Sequence, residues 1–243
     1  IAILPNIQTS ITWSEEEAMA VGHAFDESVA YYDRWMKTAL PRYDELFGIA
    51  VDLIPFDVDK TMHVLDLGAG TGLFSYHLWQ KYSLATFTLY DIAPKMLDVA
   101  RLRFKDHLDQ FQFEHVDHRD VKVVDSFDVV ISSLSIHHLN EQDKRGLFIT
   151  IFKALHQGGV FINVDQIKAP TQKLSELYWS HWLVHLREQG AAEEQVQASI
   201  RRRVEYDQDD LLVDQLRWLC EAGFEHVDLI YKHYFMGVFY AQK

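Results

Sequence analysis

The chain has 243 residues, of which 48% are hydrophobic and 24% charged, the balance of a folded globular protein rather than a disordered one. Its 36 acidic residues against 23 Lys and Arg give a formal net charge of -13, a field that repels phosphate backbones and anionic lipid headgroups and so argues against nucleic-acid or membrane partners. The single cysteine, Cys220, excludes an internal disulfide and fits a reducing, cytoplasmic setting, and no apolar run reaches the roughly 18 residues of a membrane-spanning helix.

The opening Ile1-Ala2-Ile3-Leu4-Pro5 is too short for the apolar segment of a secretory leader. Residues 14–54 have a helical period and carry Phe25, Tyr31, Tyr32, Trp35, Tyr43 and Phe47. From residue 62 the pattern changes to short β-branched runs alternating with amphipathic ones. Strands are expected over 62–67, 86–91, 111–116, 127–132 and 160–166, and helices over 73–82, 94–105 and 141–156. Pro94 suits a first helical turn, and Gly158-Gly159 is expected to stop the helix before the last of these strands. Strands joined through single helices imply right-handed crossovers and a parallel sheet. Residues 171–222 are again helical, with Tyr178, Trp179, Trp182 and Trp218, and Cys220 reads as a core thiol within them. Strands over 227–231 and 235–241 are close enough to form a closing antiparallel hairpin. No Pro/Gly/Ser-rich linker interrupts the chain, so it reads as one domain. Its parts are a helical cap (1–60), a core (61–167), a helical insertion (168–222) and the hairpin (223–243). The flanks should cover the carboxyl ends of the parallel strands, where open α/β sheets bind ligands.

The most informative motif is Asp66-Leu67-Gly68-Ala69-Gly70-Thr71-Gly72, between a strand and a helix. Glycine is needed where the backbone turns through left-handed dihedrals or approaches a ligand closely. About twenty residues later Asp91 ends the next strand, where a carboxylate can accept both ribose hydroxyls of an adenosine. The glycine spacing differs from the dinucleotide fingerprint, because Leu73 stands where its third glycine belongs. No Gly-Lys-Ser/Thr follows, which excludes a phosphate-cradling P-loop. Asp66 immediately before the loop is poor company for a pyrophosphate but suits an ammonium group.

These residues, with Tyr90-Asp91, Phe127-Asp128-Val129-Val130-Ile131-Ser132, Leu155-His156-Gln157-Gly158-Gly159 and the terminal hairpin, resemble the motifs of class I S-adenosylmethionine (SAM)-dependent methyltransferases. The resemblance implies a Rossmann-like α/β fold with a seven-stranded sheet in the order 3-2-1-4-5-7-6, strand 7 antiparallel, under a helical cap. It implies SAM as cofactor. Gly68, Ala69, Gly70 and Gly72 would admit its methionine part, and Asp66 would act on the amino group, directly or through water. Asp91 would bind the ribose, Ile92 and Met96 would flank the adenine, Asp117 would accept from the adenine amine, and Ser133 would lie near the methionine portion.

The segment Phe25-Asp26-Glu27-Ser28-Val29-Ala30, then Leu40-Pro41-Arg42-Tyr43, and Ala222-Gly223-Phe224-Glu225-His226, are similar to the carboxy-SAM synthase family, which serves wobble-uridine modification in tRNA. That resemblance implies an arginine in the insertion for an extra carboxylate, in the region of Arg201, Arg202 and Arg203; a solvated helix face or dimer contact is the reading favoured for these three. The Gly-Ala-Gly-Thr-Gly loop is instead that of general methyltransferases.

Methyl transfer needs orientation above all, and some acceptors also need a base. His138 and His137, just beyond the fourth strand, are the candidates, and Tyr31 in the cap is a candidate neighbour of the methyl group. His181 and His185 are one helical turn apart but lack a recognisable metal motif, so they read as surface or pocket residues and no metal site is expected. The leading reading is an enzyme methylating a small-molecule acceptor, with carboxy-SAM synthesis and a non-catalytic SAM-binding partner as alternatives. The aromatic insertion is compatible with a homodimer.

Overall fold

The computed structural model describes residues 32–243. Helices α1 (Tyr32–Ala39) and α2 (Tyr43–Asp52) precede β1 (His63–Leu67), α3 (Leu73–Lys81), β2 (Thr86–Asp91), α4 (Pro94–Arg103) and β3 (Phe111–His115). A 3-10 turn, His118–Asp120, leads to β4 (Phe127–Ser133). A second, Ile136–His138, leads to α5 (Glu141–Ala154) and β5 (Leu155–Gln166). The insertion comprises α6 (Gln172–Glu188), α7 (Glu193–Tyr206) and α8 (Leu212–Ala222), and the chain closes with β6 (His226–His233) and β7 (Met236–Gln242).

The strands form a seven-stranded sheet in the order β3-β2-β1-β4-β5-β7-β6, the order that the resemblance implied. β7 runs antiparallel to both β5 and β6, and the other pairings are parallel. Alternate side chains of each central strand enter two separate cores. Val64, Leu89, Val129 and Ile162 pack on one face beneath α2, α3 and α4. Leu65, Leu67, Val130 and Phe161 pack on the other beneath α5 and α8. A parallel sheet covered on both faces needs such unbroken apolar runs.

Local chemistry sets the helix starts. Pro94 opens α4, and the Asn140 side chain caps α5 by accepting from the Asp143 N–H at 2.9 Å. The C-terminal end of α5 departs from expectation. The helix stops at Ala154, and residues 155–159 already belong to β5, where the register slips between Phe127 and Val129 of β4. A Cβ on Gly159 would stand 2.9 Å from the Asp128 carbonyl oxygen, so this glycine permits a close strand approach rather than ending a helix. Cys220 also departs from expectation: it is exposed on α8, while Trp218 and Leu219 take the buried face.

The insertion docks on the cap. Trp182 of α6 donates its indole N–H to the Ala39 carbonyl at 3.0 Å, and His185 donates to the Thr38 carbonyl at 3.1 Å. Among the described residues no helix is long and apolar enough to cross a membrane.

Candidate functional site

Strand order reverses between β1 and β4, so the connections after these strands leave in opposite directions and open a crevice at their carboxyl ends. A cleft of about 720 Å³ lies there, walled by Gly68, Gly70, Asp91, Ile92, Met96 and Asp117 among others. Six of the expected cofactor residues therefore share one wall.

The glycine loop turns sharply, with φ of 66° at Gly68, 55° at Gly70 and 75° at Gly72. The glycines have different reasons for being glycine. A Cβ at Gly70 would meet nothing within 4 Å, so the loop presents bare backbone to open space. A Cβ at Gly68 would stand 1.8 Å from the Ser135 Oγ. A Cβ at Gly72 would stand 2.8 Å from the Phe104 ring, and Gly72 is not among the cleft residues; it lets α3 pack on α4, which corrects its expected place at the ligand. Ala69 and Ser133 wall a smaller recess of about 320 Å³ beside Gly70 and Leu134.

The three aspartates are held differently. Asp91 is 8% exposed and accepts from the Gly70 N–H and the Ala93 N–H, both at 2.7 Å. A carboxylate on the wall of this cleft is the acceptor type that a ribose diol needs. Asp117 caps the turn that follows it, accepting from the Arg119 backbone N–H at 2.9 Å, and pairs with the Arg119 guanidinium at 2.6 Å. Burial opposes its ionisation, but the hydrogen bonds from Arg119 outweigh this and hold its pKa below the usual carboxylate value. Asp66 is 1% exposed beneath the loop and accepts from the Ser75 hydroxyl at 2.6 Å, while its Oδ1 has no hydrogen-bond partner among the described residues. Burial raises its pKa to about 7. A bare loop, a carboxylate on the cleft wall at the end of β2 and an orphaned buried carboxylate oxygen together fit an adenosyl cofactor that carries an ammonium group.

A second cleft, of about 610 Å³, adjoins the first at Tyr32, Leu134 and His138. Trp35, Met36, Trp182 and Phe235 give it an apolar wall, and Arg202 and Arg203 stand on its rim. The solvated-face reading of Arg203 is corrected. Its side chain is 12% exposed, pairs with Asp209 at 2.7 Å and lies 4.1 Å over the Phe235 ring.

The His137 and His138 rings lie with centroids 4.1 Å apart, tilted 54° to each other, in very different settings. His137 lies between Asp165, 2.5 Å from Nδ1, and Asp207, 3.4 Å from Nε2. Burial opposes its charge, but the two carboxylates prevail and raise its pKa to about 10. The shift favours the protonated ring, which makes His137 a poorer acceptor for a substrate proton than an unperturbed histidine. His138 is depressed to about 3 by burial and by the neighbouring His137 charge. Its Nδ1 lies 3.3 Å from the Tyr206 carbonyl, which only accepts, so the hydrogen of the neutral ring sits on Nδ1. Tyr31 lies outside the described residues. Its neighbour Tyr32 borders both clefts and the recess, and burial raises its phenol pKa.

Sequence reasoning missed His118, Arg119, Asp165, Gln166 and Asp207. His118 and Arg119 directly follow Asp117, and Asp165-Gln166 end a strand, the position that had already singled out Asp91. Asp207 gave no such signal.

Residues 64–159 match the methyltransferase domain family. The chain is 24% identical over 225 residues to the carboxy-S-adenosyl-L-methionine synthase of Helicobacter hepaticus, covering 90% of this chain and 94% of that protein. It is 31% identical over 147 residues to an uncharacterised methyltransferase of Bacillus thuringiensis, covering 60% of this chain and 66% of the relative. Its fold is similar to that of Burkholderia thailandensis 1,6-didemethyltoxoflavin-N1-methyltransferase, solved with 1,6-didemethyltoxoflavin and S-adenosylhomocysteine bound; the TM-score is 0.66 at 13% identity, over 98% of this chain and 93% of that one.

Proposed function

The chain belongs to the class I SAM-dependent methyltransferase superfamily, with SAM as its cofactor, and we propose that it methylates a small, largely apolar acceptor held between cap and insertion. The observation that carries this reading is the second cleft, which has aromatic walls and meets the loop-lined cleft at Tyr32, Leu134 and His138. SAM in the first cleft supplies an electrophilic methyl on a sulfonium. The chain's own residues hold and orient. Asp91 takes the ribose, Asp117 with Ile92 and Met96 the adenine, and the recess beside Gly70 and Ser133 the methionine end. Trp35, Trp182 and Phe235 exclude water from the acceptor. Neither histidine has a pKa matched to proton removal near neutrality, so positioning and desolvation carry the catalysis.

The test is calorimetric titration with SAM, followed by release of S-adenosylhomocysteine in the presence of a panel of small aromatic and heteroaromatic acceptors. Micromolar SAM binding and acceptor-dependent release are expected; absence of SAM binding would refute the reading. A second reading, a carboxy-SAM synthase, is favoured by Arg202 and Arg203 standing at the second cleft and by the likeness to the Helicobacter synthase along nearly its full length. Mass spectrometry of ligand released from the purified protein separates the two, because only the synthase yields a cofactor heavier by a carboxylate.

A further inference from the structure

Three donor side chains from two separate parts of the chain converge where the second cleft ends. His137 and His138 come from the turn after β4, and Asp207 directly follows α7. The Asp207 Oδ1 stands 3.4 Å from His137 Nε2 and 3.4 Å from His138 Nδ1. One ligand atom from each residue lies within 4.8 Å of the others. Ligands at about 2.0–2.1 Å from a tetrahedral zinc ion stand about 3.3–3.4 Å apart. Two edges of the triad therefore already have the spacing of a metal coordination sphere.

The surroundings point the same way. Asp165, 1% exposed, accepts from His137 Nδ1 at 2.5 Å and is itself fixed by the His137 and Gln166 backbone N–H groups at 3.1 and 2.8 Å. A carboxylate on the far nitrogen is what commonly orients a metal-binding histidine and directs its other nitrogen to the ion. Gln166 brings its side-chain amide to 2.9 Å from His137 Nε2 and 2.8 Å from Asp207 Oδ2, and its Oε1 is buried with no hydrogen-bond partner among the described residues. The two ends of an amide exchange by rotation, so Gln166 offers a further oxygen to the same point. Two buried carboxylates, Asp165 and Asp207, face this point, while the nearby Lys144 and Arg203 are paired with Asp210 at 2.6 Å and Asp209 at 2.7 Å.

We propose that His137 Nε2, His138 Nδ1 and Asp207 Oδ1 bind a divalent transition-metal ion of the zinc or cobalt kind, with Asp165 orienting His137 and a remaining coordination position facing the acceptor cleft. Three protein ligands with an open position are the pattern of catalytic rather than structural zinc. The ion displaces the Nε2 proton of the His137 imidazolium, which leaves to solvent, and moves the His138 hydrogen from Nδ1, where it otherwise points to Tyr206, to Nε2. Its role, polarising an oxygen or nitrogen of the acceptor, rests on the methyltransferase reading; its binding does not. The sequence had suggested metal spacing only at His181 and His185, which are otherwise engaged: His185 bonds the Thr38 carbonyl, and His181 stacks on Tyr234 at 3.7 Å.

The test uses the full chain, stripped with a chelator and free of SAM and acceptor. Titration with Co²⁺ should give visible absorption saturating at one ion per chain, Zn²⁺ should abolish that absorption by displacement, and Zn²⁺ alone should raise the melting temperature. Asp207→Asn and His138→Gln should each weaken Co²⁺ binding at least tenfold, and Asp165→Asn should weaken it 10- to 100-fold. Near-ultraviolet circular dichroism identifies any variant that fails to fold, and the wild-type titration then decides. Absence of a saturable band and of a melting shift at large metal excess overturns the proposal, as does a band that survives unchanged in folded Asp207→Asn. SAM calorimetry on the same stripped protein tests the methyltransferase reading separately, since either result can fail without the other.

Discussion

Asp91→Asn tests the centre of the cofactor site with almost no change of shape. Both carboxylate oxygens accept from backbone N–H groups, Gly70 and Ala93, each at 2.7 Å in a side chain only 8% exposed. Asparagine has one acceptor oxygen, so whichever way the amide turns, one of these N–H groups faces another donor. Losing one hydrogen bond to a charged group and stranding its donor costs about 2–3 kcal/mol. At about 2–4 °C per kcal/mol for a chain of this size, the melting temperature should fall by about 4–12 °C. The same change weakens acceptance from a ribose by about 1–3 kcal/mol, or roughly 5- to 150-fold in the dissociation constant. Differential scanning calorimetry reads the first effect and isothermal titration with SAM at a temperature below the transition reads the second. A variant with a lowered melting temperature but unchanged SAM affinity would show that Asp91 only braces the loop, and the ribose assignment would be wrong.

Gly70→Ala and Gly72→Ala should separate binding from packing. Both strain a left-handed backbone by about 1–2 kcal/mol, but the Gly70 Cβ enters open cleft and should weaken SAM binding, whereas the Gly72 Cβ meets Phe104 at 2.8 Å and should lower thermal stability further with SAM affinity kept. Asp66 carries a pH signature. Its pKa is about 7 folded against 3.8 unfolded, so the folded state binds the extra proton between these values and the contribution of Asp66 to stability falls as pH rises from about 4 to 7. In urea unfolding, Asp66→Asn should therefore gain stability relative to wild type, by roughly a few kcal/mol, on going from pH 4.5 to pH 7.5; a difference that does not change with pH would refute the buried-carboxyl account. Arg203→Met keeps an apolar contact with Phe235 but removes the charge beside Asp209, and steady-state kinetics should show a raised acceptor KM with SAM affinity unchanged. An unchanged acceptor KM would remove Arg203 from the acceptor site.

The cofactor half of the site was legible because its determinants are local. Asp66 to Gly72 are contiguous, Asp91 ends a strand, and Asp117 opens the next turn, so strand periodicity alone delivers them to one edge of the sheet. Gly72 shows the limit of such reading: its left-handed backbone is real, but the constraint is the Phe104 ring just after α4, which no spacing reveals. The 155–159 stretch shows another, since a glycine pair that can stop a helix can equally let a strand bulge against Asp128.

By itself the sequence determined the sheet, its order through resemblance, and most of the residues that meet at the cleft beyond the strand ends, because alternating apolar runs and a glycine turn are short-range consequences of covalent chemistry. Tertiary structure alone decided the second cleft. Asp165, Asp207, His137 and His138 come from three stretches of chain, and packing turns two adjacent histidines into opposites: one is charged between carboxylates and the other neutral in a low-dielectric wall. These opposite shifts depend on distances of 3–4 Å across the fold, and those distances exist only once the insertion has closed over the sheet.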